Sequence, residues 1–276
     1  MKKILVAEDD RVTGRLLQEI LKRRGYSVVS ARDGAAALNR LRKSAFDLVL
    51  LDIWMPRMDG LELLAHMRNE GLGTKAIVMT SDDTPATLLR AVREQAYHYV
   101  SKPLDAKALL ALVESALAAS PVPPIQVLSA LPDWVELLVP CEMGAAERIQ
   151  AFMARLDAGL PEDIRESIGL VFHEMLMNAI EWGGKLDPNT TVRISCIRAR
   201  RMVLYRIADP GPGFNFEDLT HAAVAYPREE VAESASVRQQ KGLRPGGFGI
   251  LMARQMVDEL LYNEARNEVV FVKYLK

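Results

Sequence analysis

The stretch Asp47-Leu-Val-Leu-Leu-Asp-Ile-Trp-Met-Pro-Arg-Met-Asp-Gly60 decides the fold of the first half of this chain. Its unbroken apolar run, Leu48 to Leu51, predicts a strand buried on both faces, as strands are in a parallel sheet. Asp52 follows at the carboxyl end of that strand, and Pro56 then breaks the extended pattern. Because the ligands of open α/β sheets gather outside the carboxyl ends of the strands, Asp52 is a candidate site residue.

Polar side chains follow three other predicted strands. The strands Ile4–Ala7, Ala76–Met79 and Tyr99-Val100 end in Glu8-Asp9-Asp10, Thr80-Ser81 and Ser101-Lys102-Pro103, respectively. One sheet edge is therefore expected to collect carboxylates, a hydroxyl group and an ammonium group. Carboxylates about 4 Å apart repel each other by roughly 4 kcal/mol at an effective dielectric constant near 20. A divalent cation removes that repulsion, and ligands that are all oxygen suit Mg²⁺.

Residues 1–119 alternate strand and helix, which predicts right-handed crossovers and a parallel sheet covered on both faces. On these residues the segment resembles the receiver domain of two-component response regulators, a flavodoxin-like, doubly wound, parallel five-stranded fold. The resemblance implies that Asp52 is the phosphoacceptor, that Thr80 hydrogen-bonds to the phosphoryl group and that Lys102 pairs with it. Tyr99 stands where the family keeps its switch aromatic, and the bond before Pro103 is expected to be cis. A sensor histidine kinase is the implied partner.

The same resemblance implies a magnesium site beside the phosphoacceptor. Mg²⁺ would be held directly by Asp9, Asp52 and the backbone carbonyl of Trp54, with Glu8 acting through water. Phosphorylation would add about −1.5 to −2 charge at Asp52, to which Lys102 and Thr80 are able to respond.

Length and composition limit the possible partners. With 276 residues, 49% of them hydrophobic, the chain is long enough for two domains with ordinary cores. A net charge of −1 does not suggest binding to nucleic-acid phosphates, so no DNA partner is expected. The chain has no long apolar run and no signal peptide, so we expect a cytoplasmic protein that is not bound to a membrane. Cys141 and Cys196 are too few for a disulfide framework and are expected to be buried thiols.

The prolines of Ala119-Ser-Pro-Val-Pro-Pro124 predict a domain boundary, because they favour extended polyproline geometry. We expect a receiver domain over residues 1–119, a Pro-rich linker over 120–132 and a second domain over 133–276. Groups of helices and groups of strands indicate an α+β sandwich for the second domain. The polar stretch from Phe214 to about Arg244 is predicted to be a lid or disordered, and Phe248–Leu260 to be a helix.

Three segments of the second half carry chemistry. Glu174 and Asn178 are four residues apart in a predicted helix, so both point from one face. Asp209-Pro-Gly-Pro-Gly213 ends a strand, and its glycines let a ligand approach the backbone. Pro245-Gly-Gly-Phe-Gly249 precedes a helix, whose N-terminus offers backbone N–H groups to phosphates. Each segment alone is more often a helix-surface contact or a turn, whereas their order along the chain is more specific.

In that order the three segments resemble the Bergerat-type ATP-binding fold of histidine kinases and gyrase-type ATPases, and especially the anti-sigma-factor serine kinases. The resemblance implies that Asn178 coordinates the Mg²⁺ of Mg-ATP, that Asp209 binds the adenine amine and that Glu174 is the general base. The glycines that would wrap the nucleotide are Gly211, Gly213, Gly246, Gly247 and Gly249. Lys241 and Arg244 of the lid are candidates for phosphate contacts.

Three hypotheses for the output function remain open at this stage. The first is a protein serine/threonine kinase, controlled by Asp52 phosphorylation, that acts on an anti-sigma-factor antagonist. The alternative is an ATP-bound anti-sigma module that sequesters a sigma factor or similar partner without phosphotransfer. The second is favoured by Arg148, which lies about half a helical turn from the position of the catalytic arginine in the subgroup. A nucleotide sensor that sets receiver dimerisation is a third hypothesis, and a homodimer is left open with it.

Overall fold

The computed structural model describes residues 1–82, 84–119, 123–214 and 249–275. The chain divides into two compact units, Met1–Pro121 and Val122–Lys276. No helix among the described residues is long and apolar enough to cross a membrane.

The first unit is a parallel sheet with strands in the order β2-β1-β3-β4-β5. The strands are β1 Lys3–Ala7, β2 Ser27–Ala31, β3 Leu48–Asp52, β4 Lys75–Thr80 and β5 His98–Ser101. The helices that alternate with them are α1 Arg11–Arg23, α2 Gly34–Lys43, α3 Gly60–Asn69, α4 Pro85–Arg93 and α5 Ala106–Ala118. The predicted flavodoxin-like, doubly wound fold is confirmed.

N-cap residues mark where the loops after the strands end and the helices begin. Every residue of β3 is buried, as its apolar run predicted. Asp33 and Asp59 are the N-caps of α2 and α3, and Asp59 forms a capping box with Glu62. Because each helix begins just beyond a strand end, the helix N-termini and the polar strand ends share one edge of the sheet.

Lys75, at the start of β4, forms hydrogen bonds with carbonyl groups at the C-terminal end of α5. Its Nζ atom donates hydrogen bonds to the carbonyl oxygens of Ala116 at 2.8 Å and Ala119 at 2.6 Å. The last turn of α5 has no basic residue of its own. A cation from another element therefore binds the carbonyl groups that a helix end leaves without partners.

The second unit is an antiparallel sheet with strands in the order β10-β11-β9-β8-β7-β6. The strands are β6 Gln126–Leu131, β7 Trp134–Pro140, β8 Thr191–Ala199, β9 Met202–Ala208, β10 Glu259–Tyr262 and β11 Glu268–Tyr274. The helices are α6 Met143–Leu156, α7 Glu162–Asn178 and α8 Gly249–Met256, with a 3₁₀ turn at Asp157–Gly159 and a π-helical turn at Ala179–Gly183.

The core of the second unit is built around Tyr205 of β9, which is fully buried. Its ring stacks on Phe271 at a centroid distance of 5.1 Å and packs against Phe172 of α7 at 5.2 Å. The Tyr205 hydroxyl donates to Asp157 Oδ2 at 2.6 Å, and Arg198 binds the other carboxylate oxygen. Burial raises the pKa of Asp157 and that of Tyr205. These contacts tie the 3₁₀ turn after α6 to the sheet.

Two predictions about the second half are wrong. The linker predicted over residues 120–132 contains a strand, because Gln126–Leu131 forms β6 and pairs with β7. The helix predicted over Phe248–Leu260 ends at Met256, and Glu259–Tyr262 forms β10 instead. Both strands lie at edges of the sheet, where partial exposure removes the apolar run that marks a buried strand. The expectation that Cys141 and Cys196 are buried free thiols is confirmed.

Candidate functional sites

The carboxyl edge of the first sheet holds an acidic cluster. Glu8, Asp9 and Asp52 each offer a carboxylate oxygen, and these oxygens all lie within 4.8 Å of one another. Glu8 and Asp52 are buried, whereas Asp9 is exposed. Lys102 Nζ lies 2.9 Å from Glu8 Oε2 and 3.1 Å from Asp52 Oδ2. The structure thus brings together the acids and the lysine that the sequence assigned to separate strand ends.

Burial affects the pKa values of Glu8 and Lys102. It raises the pKa of Glu8 to about 7, with the hydrogen bond from Lys102 opposing the rise and the charge of Asp52 adding to it. Burial alone would lower the pKa of Lys102, but its contacts with Glu8 and Asp52 outweigh that effect and the pKa is raised. Crowded carboxylates beside one ammonium group form an oxygen donor set that fits Mg²⁺.

A hydrogen-bonded chain connects Thr80 to Tyr99 through Asp82. Thr80 is fully buried, and its hydroxyl oxygen accepts a hydrogen bond from the Asp82 N–H at 3.0 Å. The buried Tyr99 donates to the Asp82 carbonyl at 2.5 Å, and Thr87 donates to the Asp82 carboxylate at 2.7 Å. Sequence reasoning did not single out Asp82. The Lys102–Pro103 peptide bond is cis, as predicted.

The loop after Asp52 returns close to the strand end. A Cβ atom at Gly60 would lie 2.2 Å from the Asp52 carbonyl oxygen, so only glycine fits there. The Gly60 N–H donates to the Ile53 carbonyl at 2.8 Å. Trp54 lies within this loop with its side chain 58% exposed. The role of its carbonyl in binding Mg²⁺ stays a prediction.

A cavity of about 330 Å³ lies in the second unit. Its wall is formed by α7, the π-helical turn, the loop after β9, the loop before β11 and the first turn of α8. This volume is typical of small-molecule pockets. Glu174 and Asn178 both line the cavity from α7, as their spacing predicted.

The first turn of α8 meets Glu174 at the cavity wall. A Cβ atom at Gly249 would lie 2.4 Å from Glu174 Oε2, so the glycine lets helix and carboxylate approach closely. Gly249 and Ile250 both line the cavity. Backbone N–H groups in the first turn of a helix are suited to bind phosphate oxygens.

Two glycines pack against Asp209 at another part of the wall. A Cβ atom at Gly183 would lie 2.2 Å from Asp209 Oδ1, and one at Gly211 would lie 2.9 Å from the same oxygen. The Gly211 N–H donates to Asp209 Oδ1 at 2.8 Å. Burial raises the pKa of Asp209, and the hydrogen bond from Gly211 opposes the rise. The carboxylate is therefore held in one orientation by backbone that leaves it no room to swing.

The π-helical turn was not predicted from the sequence. The Gly184 N–H donates to the carbonyl of Ala179, five residues earlier, at 2.8 Å. The turn places Trp182 and Gly183 in the cavity wall, and Trp182 is 47% exposed. The only signal for it in the sequence is the glycine pair Gly183-Gly184 at the end of the predicted helix.

An aromatic pair completes the described part of the wall. Phe214 and Tyr262 meet edge to face at a centroid distance of 5.7 Å, and the Tyr262 hydroxyl lies 3.4 Å from the Met175 sulfur. Burial raises the pKa of Tyr262 to about 12. Gly213 has φ of +86°, and a Cβ atom there would lie 1.6 Å from the Ala265 carbonyl oxygen. Apolar walls, a fixed carboxylate and glycines in close contact form a cradle that fits a purine nucleotide.

The other predicted residues of the second unit are not among the described residues of the cavity wall. Gly246 and Gly247 lie outside the described residues, as do Lys241 and Arg244 of the predicted lid. Arg148 is absent from the described residues that line the cavity, and its guanidinium lies 3.4 Å from Glu142 Oε1.

Family comparisons bear on both units. Residues 4–114 match the response regulator receiver domain, and residues 141–273 match the histidine kinase-like ATPase domain. This chain is a receiver domain joined to an ATPase domain. The prediction of these two domain families is confirmed, whereas the matches do not decide the anti-sigma-factor kinase subtype.

Known relatives match part of the chain. The transcriptional regulatory protein ZraR of Escherichia coli strain K12 is 37% identical over 115 residues, which cover 42% of this chain and 26% of ZraR. The response regulator protein PmrA of Pseudomonas aeruginosa is 37% identical over 113 residues, which cover 41% of this chain and 51% of PmrA. The solved structure of the response regulator TrrA of Thermotoga maritima is 33% identical, covers 42% of this chain and 99% of TrrA, and has a TM-score of 0.39.

The matched residues thus span about a quarter of the length of ZraR and about half of the length of PmrA. A receiver domain implies a sensor histidine kinase as its partner. The relatives include transcriptional regulators by name, so the prediction that this chain binds no DNA gains no support from them.

Proposed function

We propose that this chain is a response regulator phosphorylated on Asp52, and that its ATPase domain is a protein serine/threonine kinase acting on an anti-sigma-factor antagonist. The observation that carries the kinase proposal is the placement of Glu174, Asn178 and Asp209 around one cavity. An ATP-dependent kinase without a membrane partner would work in the cytoplasm.

At the receiver, a carboxylate oxygen of Asp52 attacks the phosphorus of the sensor kinase's phosphohistidine. The O–P bond forms as the P–N bond breaks, and the histidine leaves with its electron pair. Lys102 is already within 3.1 Å of Asp52 Oδ2 and neutralises charge there. Mg²⁺, when held by Glu8 through water and by Asp9, Asp52 and the Trp54 carbonyl directly, would supply further charge neutralisation. Thr80 would donate its hydroxyl to the new phosphoryl group.

At the ATPase domain, a hydroxyl oxygen of the client attacks the γ-phosphorus of ATP. The new O–P bond forms as the bond to the bridging oxygen of ADP breaks, and the hydroxyl proton passes to Glu174. Asp209 would accept a hydrogen bond from the adenine amine, and Asn178 would coordinate the Mg²⁺ that accompanies ATP. The glycines around the nucleotide would be Gly211, Gly213 and Gly249, together with Gly246 and Gly247. Such chemistry depends mainly on positioning and charge neutralisation.

Labelled ATP tests the kinase proposal. The full chain is incubated with γ-labelled ATP and candidate antagonist proteins, with and without prior phosphorylation by acetyl phosphate. Label should reach a client serine or threonine, and Glu174→Gln should abolish transfer while leaving ATP bound. If ATP binds but no client is labelled in either receiver state, the chain is not such a kinase.

The second candidate is an ATP-bound module that sequesters a sigma factor without phosphotransfer. It is favoured by the position of Arg148, which lies 3.4 Å from Glu142 Oε1 and is not among the described residues of the cavity wall. A stable complex with a sigma factor, formed without turnover and unchanged by Glu174→Ala, would support this candidate. Regulation of that complex by Asp52 phosphorylation would then be the output.

A further inference from the structure

The loop between Asp52 and α3 contains a residue in an unusual backbone conformation. Arg57 has φ of +70°, which lies in a backbone region that residues other than glycine rarely adopt. An arginine persists in such a conformation only where its surroundings hold it there. The same loop carries Trp54, three residues earlier, whose carbonyl is assigned to Mg²⁺ in the proposed function.

The start of α2 supplies the contacts that hold this loop. The Asp33 side chain is only 2% exposed, and one of its oxygens caps α2 by accepting a hydrogen bond from the Ala36 N–H at 2.7 Å. Its other oxygen accepts a hydrogen bond from the Arg57 guanidinium, which forms an ion pair with it. The next residue, Gly34, donates its N–H to the Met58 carbonyl at 3.2 Å.

Sterics make this contact tight. A Cβ atom at Gly34 would lie 2.5 Å from the Met58 carbonyl oxygen and 2.8 Å from Met58 Cγ. Residues 57 and 58 are therefore held by an ion pair of the Arg57 side chain, a hydrogen bond to the Met58 carbonyl and close packing against Met58. Asp33 and Gly34 lie outside the acidic cluster and belong to no predicted site.

We propose that Asp33 and Gly34 are positioning residues for the phosphoacceptor site. By holding Arg57 and Met58 they fix the path of the loop, and hence the place where the Trp54 carbonyl stands relative to Asp52. The inference rests on the proposed magnesium-dependent phosphorylation of Asp52. Removing the Asp33–Arg57 contact should weaken Mg²⁺ binding about three- to tenfold, since groups that orient a metal ligand typically contribute at least this much.

The test measures Mg²⁺ affinity in the full chain through Trp54 fluorescence. The chain has three tryptophans, so replacing Trp134 and Trp182 by Phe leaves Trp54 as the only reporter. Asp33→Asn keeps a good helix N-cap but loses the ion pair. Arg57→Gly loses the same ion pair while relieving the positive φ, so a loss of Mg²⁺ affinity would not come from unfolding. The Mg²⁺ dependence of Asp52 labelling by acetyl phosphate is the second readout.

Opposite charge changes separate positioning from simple electrostatics. Asp33→Asn removes a negative charge and Arg57→Gly a positive one, so long-range electrostatics would shift Mg²⁺ affinity in opposite directions. Positioning predicts that both variants bind Mg²⁺ more weakly and that the double variant is no worse than the weaker single one. The control is Arg42→Met, which breaks the exposed Arg42–Glu70 ion pair at the other end of α2 and should leave Mg²⁺ affinity unchanged.

The outcomes are distinguishable. If the parent protein neither responds to Mg²⁺ nor is labelled at Asp52, the proposed function itself fails. If the parent protein does both, and either variant binds Mg²⁺ as well as or better than the parent, the positioning inference is wrong. Weaker binding in both variants, with melting temperatures equal to those of the control, supports it.

Discussion

Substituting Gly183 by alanine tests the nucleotide cradle at its most crowded point. The new Cβ atom would lie 2.2 Å from both Cγ and Oδ1 of Asp209 and 2.5 Å from its Cβ. Because real Cβ contacts below about 3 Å do not occur, the carboxylate has to move by most of an ångström. The Gly211 backbone already stands close on another side, because its N–H donates to Oδ1 at 2.8 Å.

The size of the effect follows from the bond that this movement breaks. Asp209 is proposed to accept a hydrogen bond from the adenine amine, and a hydrogen bond to a charged group contributes about 1.5–3 kcal/mol. Since 1.4 kcal/mol corresponds to a factor of ten, the Kd for ATP should rise roughly ten- to hundredfold. Phosphorylation of Asp52 by acetyl phosphate should not change.

Calorimetric titration with ATP and with a purine nucleoside triphosphate lacking the amine measures this directly. The unsubstituted protein should prefer ATP, and Gly183→Ala should lose most of that preference as well as affinity. Gly169→Ala is the control, because Gly169 is exposed on α7, the helix that leads into the π-helical turn, and its Cβ would meet nothing within 4 Å. The control should keep the Kd for ATP and gain about 0.5–1 kcal/mol of stability. A folded Gly183→Ala protein with unchanged affinity and preference would refute the assignment of Asp209 to the adenine amine.

Three further predictions concern other parts of the molecule. Asp52→Asn should abolish labelling by acetyl phosphate and leave the Kd for ATP unchanged. Asn178→Ala should weaken ATP binding and leave labelling by acetyl phosphate unchanged, and loss of both activities in either variant would contradict separate sites. Tyr205→Phe should lower the free energy of unfolding by about 1–3 kcal/mol, because Asp157 loses a buried donor, as chemical denaturation will measure. Lys75→Met should speed hydrogen exchange at the C-terminal end of α5, and unchanged exchange there would rule out its capping role.

The acidic cluster could be predicted from the sequence because each of its residues is marked by the residues next to it in the chain. A fully buried parallel strand reads as an apolar run, and the residue after that run falls at the sheet edge where other strand ends also meet. Glu8 and Asp52 follow apolar runs directly, and Asp9 and Lys102 lie one residue further along the chain. The ion pair between Asp33 and Arg57 gave no such signal, because it joins a helix cap to a loop whose backbone conformation is decided only in the folded chain.

The second domain was harder to predict where strands are only half buried. Within the part of the chain that the structure describes, β6 and β10 are the two edge strands of its sheet, and in each of them exposed and partly buried residues largely alternate. The prolines before β6 favoured a linker, and the helix before β10 favoured its own continuation. By contrast, the apolar residues of α7, such as Ile164, Ile168 and Val171, recur at helical spacing and are buried in the structure, because a helix packed on a sheet keeps a period that is visible in the sequence.

In the π-helical turn after Asn178, the number of residues matters to the shape of the cavity as much as their identity does. An α-helix advances about 100° per residue, so an unbroken helix would set Gly183 about 140° around the axis from Asn178. In the folded protein both residues face one cavity, because the turn closes five residues apart and resets the angular phase. Deleting a single residue from this interval would rotate one half of the nucleotide cradle away from the other, even if every remaining side chain were kept.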